Sequence, residues 1–246
     1  MSNNMDMRIS GSGSVPAGEY KHVSVSGSGR LVGKVRCETF SSSGASHGES
    51  IECTDTFKVS GASSFSGDVK ASYVGVSGSF SCGGDLVATD KLSCAGSAKC
   101  KGSVKGTLLS IAGALNVGGD VEGEKVKVRG ILNCGGLLNA EDIEIEFERG
   151  MEIGSIGGSK IVIFPKNTAK PITKLPLFSA LARRASAGVS VATSIEGDEI
   201  ALEGVACPRV TGRIVAIERG CNIDLVQYSE TVEISPDAKV GRTEKI

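Results

Sequence analysis

From Gly11 onward the chain returns to the same short pattern about every 17 residues. Gly11, Gly27, Gly44, Gly61, Gly78, Gly96, Gly113 and Gly130 follow one another at intervals of 16, 17, 17, 17, 18, 17 and 17 residues. Each closes a strand-like run, as in RISG, VSVSG, FKVSG, LSIAG and VKVRG. A period of this length is too short for two packed helices and too long for a single hairpin. It accommodates three strands of about four to six residues, separated by tight turns and wound as one coil of a solenoid. The expected fold class is therefore all-β, a parallel β-solenoid with about 17 residues per coil.

Written coil beneath coil, the sequence shows fixed columns. Two residues after the repeat glycine stand Gly29, Ser46, Ser63, Phe80, Ala98, Leu115 and Leu132. Six after it a second glycine recurs (Gly33, Gly67, Gly84, Gly102, Gly119, Gly136), with Ser50 the exception. Eight after come Val35, Val69, Leu86, Val104, Val121 and Leu138, where Glu52 departs, and ten after the residue is small. Apolar and polar positions alternate with the period of a half-buried strand. Glycines in fixed columns mark turns that need a positive φ or a close backbone approach. The strand pairs Val126/Val128, Ile143/Ile145 and Ile161/Ile163 carry the pattern on, and Ile200/Leu202, Val215/Ile217 and Val232/Ile234 resume it. About nine coils, an insertion and three further coils are expected, a rod on the order of 55 Å long. The expected boundaries are an N-terminal tail over 1–8, coils over 9–164, an insertion over 165–194, and further coils with a C-terminal tail over 195–246.

Composition fits a narrow interior. Of 246 residues 34 are glycine, none is tryptophan and 4% are aromatic, so the apolar share rests on small and β-branched side chains. A formal charge of −1 argues against bulk electrostatic binding of nucleic acid. No apolar run approaches the roughly 18–20 residues that span a bilayer, and the start, MSNNMDMR, lacks the layout of a signal peptide. A soluble, cytoplasmic protein is expected. Of the eight cysteines none forms C-x-x-C, and Cys82, Cys100 and Cys134 share a column with Leu31, Phe65 and Val117. Such a column is an inward apolar one, with cysteine acting as a small hydrophobe rather than a metal or redox ligand.

The stretch 165–194 differs in kind. It holds Pro165, Pro171 and Pro176, then LFSALARRASAG, which reads as one short helix ending at Gly188. No acidic residue lies between Glu152 and Glu196. Lys166, Lys170, Lys174, Arg183 and Arg184, with Leu177, Phe178 and Leu181, could meet anionic lipid or an acidic partner, or lie across the side of the solenoid.

Catalytic motifs are weak. GASHG (Gly44 to Gly48) matches a nucleophile-elbow string around Ser46, but Gly44 is the repeat glycine and no helix follows. Gly29–Gly33–Lys34 is one residue short of a phosphate loop and has Val35 where Ser or Thr would hold magnesium. Asp68, Asp85 and Asp120 each follow a second glycine and read as turn aspartates bonding their own backbone. The enzymatic rival is a β-solenoid acyltransferase or polysaccharide lyase, for which only His22 and His47 are on offer as bases. No catalytic site, cofactor or metal is expected.

The repeats VSGASSFSGDVKASYVGVSG (59–78) and IAGALNVGGDVEGEKVKVRG (111–130) resemble those of the bactofilins, bacterial polymer-forming cytoskeletal proteins. The resemblance is best over 9–164 and extends to 195–241; the insertion is not part of the family pattern. It implies a right-handed parallel β-helix and a nucleotide-independent filament that serves as a scaffold in cell shape, cell-wall synthesis or motility-apparatus assembly. The implied partners are other copies of the chain, the membrane surface and cell-wall or motility proteins. Solenoid physics points the same way, since a terminal coil leaves backbone groups and an apolar stack uncovered. An end-to-end interface is expected from Ile9, Val15, Val23 and Val25 of the first coil with Val232, Ile234 and Val240 of the last.

Overall fold

A computed structural model of the chain describes residues 5–166 and 188–246. Its 22 strands, from Met7–Ile9 to Lys239–Lys245, pair in parallel and make a β-solenoid of about 13 turns. Strands 15 to 18 residues apart in sequence are neighbours along most of the rod, as in Ile111↔Val128↔Ile145 and Cys82↔Cys100↔Val117↔Cys134. At about 4.8 Å per turn the rod is ~60 Å long. The short helix expected within 165–194 lies outside the described residues, as do Lys170, Lys174, Leu177, Phe178, Leu181, Arg183 and Arg184.

Each coil contributes to three ladders of strands. The first runs from Met7–Ile9 through Val23–Val25 to Thr231–Ile234. The second begins at Ser12–Val15 and the third at Gly18–Tyr20. Inward residues of the three ladders form one continuous core that includes Val74, Val76, Phe80, Cys82, Leu86 and Ala88 within a single coil. The repeat glycine turns the corner from the first ladder to the second. There its carbonyl accepts the N–H one coil later, as in Ala62 N to Gly44 O at 3.0 Å and Ser79 N to Gly61 O at 2.9 Å. A Cβ on Gly27, Gly44, Gly61, Gly78, Gly96, Gly113 or Gly130 would overlap the carbonyl oxygen of the preceding glycine in the column. These glycines answer to close approach, not to φ; among the described glycines a positive φ occurs only at Gly33, Gly204 and Gly220.

Several boundaries differ from the sequence expectation. Strand structure begins at Met7, inside the expected N-terminal tail, and continues to Lys245, through the expected C-terminal tail. The interruption is shorter than 165–194, since one strand runs to Pro165 and the next two start at Val189 and Ser194. In the coil after Gly44 the residue that fills the inward slot is Ile51, paired with Val35 and Val69, and Cys53 pairs with Cys37. Glu52 thus points outward like its neighbours, and a register shift before Thr56 restores the phase.

Large and small core residues compensate one another. Phe57 lies 5.0 Å from Phe40 in a stacked pair and 5.6 and 5.5 Å from Phe65 and Phe80. Beside these rings the inward positions are Gly29, Gly48, Ser46 and Ser63. A Cβ at Gly48 would come within 2.6 Å of the Phe65 ring. The two buried serines satisfy each other, with Ser46 Oγ 2.6 Å from Ser63 Oγ.

Candidate functional site

At the N-terminal end, Met7–Ile9, Ser12–Val15 and Gly18–Tyr20 each have a parallel partner on one side only among the described residues. Their apolar side chains are nevertheless enclosed. Ile9 is 7% exposed and Val15, Val23 and Val25 are at most 1% exposed. Val23 and Val25 sit in the second layer, beneath Met7 and Ile9. Met7 and Tyr20 pack against the core, the Tyr20 hydroxyl donates to Pro16 O at 2.9 Å, and Lys21 N donates to Met5 O at 3.1 Å. A shallow cavity of about 370 Å³ lies between Met5, Met7, Pro16 and Tyr20. The surface of this end is therefore Met5, Met7 and Tyr20, and the four residues expected there are core.

The C-terminal end is less enclosed. Among the described residues Thr231–Ile234 pairs only with Ile214–Ile217, and Lys239–Lys245 only with the strand that begins at Asn222. Val232 and Val240 are half-buried and Ile234 is 39% exposed. Ile246 is 65% exposed, although its N–H donates to Tyr228 O at 2.9 Å. Val232, Ile234 and Val240 thus stand together at one rim, on strands that have a partner on one side only among the described residues.

The residues considered for chemistry are dispersed. His22 Nδ1 is 2.8 Å from Thr39 Oγ1 on the first ladder, whereas His47 is exposed on the second. His47 and Arg30 border a cavity of about 520 Å³ with Ser12, Ser28, Glu49 and Ser66. Ser46 is fully buried on the inner side of its strand. Among the described residues no three His, Cys, Asp or Glu side chains converge as a metal site would require. Lys166 pairs with Glu148 and holds that carboxyl below its ordinary pKa.

The aspartates do not bond their own backbone. Asp68 Oδ1 accepts the N–H of Asp85 at 2.9 Å, Asp85 Oδ1 that of Ser103 at 2.8 Å, and Asp120 Oδ1 that of Leu137 at 2.8 Å. Ser103 Oγ accepts from Asp120 N at 3.1 Å and fills the gap in the series. Each side chain therefore fastens one coil to the next. The column of second glycines leaves room for it, since a Cβ on Gly84, Gly102 or Gly136 would strike these carboxylates.

All eight cysteines are free and buried. Cys82, Cys100 and Cys134 direct their thiols at the carbonyls of Gly67, Gly84 and Gly119, one coil back, at 3.1, 3.1 and 3.3 Å. Burial pushes the Cys94 thiol up to about 11 and raises Cys134, Cys207 and Cys221. A side-chain contact with Cys37 at 3.5 Å, together with burial, raises Cys53 as well. The thiols raised in this way stay protonated at neutral pH, which disfavours nucleophilic chemistry there, whereas the side-chain contact with Cys100 lowers Cys82.

Comparison of the chain with family models, with curated proteins and with solved structures finds no match. Among the described residues no helix is long and apolar enough to cross a membrane.

Proposed function

We propose that this chain is a self-polymerising cytoplasmic scaffold that joins end to end into filaments without nucleotide or cofactor. The observation that carries the reading is the C-terminal rim, where Val232, Ile234 and Val240 lie on strands with a partner on one side only among the described residues. Peptide groups at such an edge hydrogen-bond a further strand as readily as those inside the stack. The N-terminal edge offers a second row of groups without a partner among the described residues, around Met5, Met7 and Tyr20, where another copy could pair. The bactofilin-like repeats support the same reading and suggest a role in cell shape, cell-wall synthesis or motility-apparatus assembly.

Sedimentation and negative-stain microscopy of the purified chain, without nucleotide or metal, test it. Filaments are expected, and Ile234→Glu should yield dispersed rods with an unchanged circular dichroism spectrum. A glutamate at Val25, which is 1% exposed, should unfold the first coils instead. A wild-type chain that stays monomeric at high concentration and moderate salt overturns the proposal. The rival reading, a β-solenoid acyltransferase or lyase, rests on the cavity beside His47 and Arg30. It requires an activity that His47→Ala abolishes, whereas a scaffold is indifferent to that change.

A further inference from the structure

The eight buried cysteines are not equivalent. Cys37 and Cys53 are direct partners across the parallel strands Lys34–Ser42 and Ser50–Val59, and their Sγ atoms lie 3.5 Å apart. Cys82 and Cys100 are also register partners in contact, but each thiol is committed to a carbonyl, Gly67 O and Gly84 O, at 3.1 Å. Cys134, Cys207 and Cys221 likewise point at carbonyl oxygens. Partner positions on parallel strands are about 4.8 Å apart, inside the range of roughly 4.4–6.8 Å between Cα atoms that a disulfide bridges. Closing the bond draws the two sulfurs about 1.5 Å nearer to one another. The backbone leaves room for that movement. The register shifts just after Cys37, and on the far side of Cys53 the pairing with Val69–Val76 breaks after Glu52 and resumes at Thr56.

We propose that Cys37 and Cys53 form a redox-sensitive lock, in which hydrogen peroxide converts the two thiols to a disulfide that closes residues 37–53 into a covalent ring. The ring is one full coil, from the third ladder through the corner at Gly44 and back to the third ladder. The chemistry balances in two steps. One thiolate attacks the peroxide; the O–O bond breaks, a sulfenic acid forms and the first water leaves. The second thiol attacks that sulfur; the S–S bond forms, the S–O bond breaks and the second water leaves. Two thiols lose two electrons and two protons, and peroxide is reduced to two waters. Among the described residues no buried side chain is charged, so a neutral disulfide suits this interior, whereas a metal ion bridging two thiolates would bury net charge. In the closed coil the two thiols are only 4% and 3% exposed, and the contact with Cys37, with burial, keeps Cys53 protonated. Oxidation therefore follows transient opening of this coil, and the disulfide, once made, restricts further opening.

Peroxide treatment of the folded full chain, followed by alkylation and tryptic mass spectrometry, tests the proposal. Cleavage at Arg36 and Lys58 leaves Cys37 and Cys53 in one peptide, whereas Cys82, Cys94 and Cys100 fall in three others. The 37–58 peptide is expected to become lighter by two hydrogens and refractory to alkylation, with both changes reversed by dithiothreitol. Cys82 and Cys100 should remain alkylatable after unfolding. The thermal midpoint of the oxidised chain should rise by about 5–10 °C, as closing a loop of this length predicts. Cys53→Ala and Cys37→Ala should abolish the rise; alanine already fills the matching inward place at Ala71 and Ala88, and circular dichroism verifies that both variants fold. None of these readouts needs filaments, so failure of the polymer reading leaves the test intact. Two alkylatable thiols in the 37–58 peptide after treatment overturn the proposal. So does addition of oxygen to that peptide without loss of hydrogen, which would be overoxidation of single thiols. A Cys82–Cys100 cross-link that forms first, or a midpoint rise that persists in Cys53→Ala, overturns it as well.

Discussion

At the scale of single residues, stacking geometry selects glycine and cysteine more stringently than polarity does. A methyl group at Gly78 would overlap the carbonyl of Gly61 in a column where neighbouring coils are hydrogen-bonded and cannot separate. Gly78→Ala is therefore expected to cost about 1–3 kcal/mol, the usual penalty for overpacking a closed site, and to lower the thermal midpoint. Gly11 occupies the same column in the first coil, where a Cβ would meet nothing within 4 Å. Gly11→Ala should leave the midpoint within error of wild type. Equal effects of the two substitutions would show that conformational freedom, not crowding, fixes the column. The glycine period was readable because its cause is local to each coil. The thiol-to-carbonyl contacts of Cys82, Cys100 and Cys134 were not, because they depend on which carbonyl of the previous coil faces inward at the corner. Sequence columns alone present these cysteines only as small apolar residues.

At the scale of the coil, side chains that reach to the next turn do work that the backbone ladder leaves undone. At the second corner backbone bonds such as Gly84 N to Gly67 O at 3.3 Å and Leu86 N to Ser103 O at 2.9 Å link the coils, and Asp68, Asp85, Ser103 and Asp120 supply acceptors for the N–H groups between them. Asp85→Ala leaves Ser103 N to water and is expected to lower stability by about 1 kcal/mol, read as a shift in a denaturation midpoint. Asp85→Asn retains an acceptor oxygen and should fall nearer wild type. If both variants lose the same amount, charge rather than the hydrogen bond is responsible. The spacing of these aspartates was evident in the sequence, but their partners were misassigned, because an Asx turn and a bond to the next coil share the same Gly-Asp signature. The slip at Ile51 has a similar origin. Strict counting from Gly44 lands on Glu52, whereas the strand drops one residue before Ile51 and regains it before Thr56 so that burial is preserved.

At the scale of the whole molecule, the interior was legible and the ends were not. Alternation tells which side chains point inward, but not which coil is the last to cover them; Val23 and Val25 match Val232 and Ile234 in pattern, yet lie under Met7 and Ile9. Along the rod's outer surface, charges one coil apart form pairs such as Lys34–Glu52 at 3.1 Å, Lys105–Glu122 at 2.5 Å, Lys125–Asp142 at 2.6 Å and Lys127–Glu144 at 2.7 Å. Hydrogen bonds from Lys34 and then Arg36 hold the Glu52 carboxyl below its ordinary value, and Lys166 does the same for Glu148. A carboxyl lowered in the folded state contributes stability that is complete above its unfolded pKa of about 4.3 and is lost as pH falls through the folded value. Lys105 and Lys125 are raised by Glu122 and Asp142, so their contribution is complete below about pH 10 and is lost as pH rises through the folded value. The thermal midpoint should accordingly be flat from about pH 5 to pH 9 and decline on both sides. These groups are solvent-exposed, so each pair is weak and the decline is expected to be shallow. Screening sets the decisive comparison: repeating the pH series in about 1 M salt, where the Debye length is near 3 Å, should flatten both shoulders. A decline at acid pH that persists undiminished in high salt would show that these exposed pairs are not its cause.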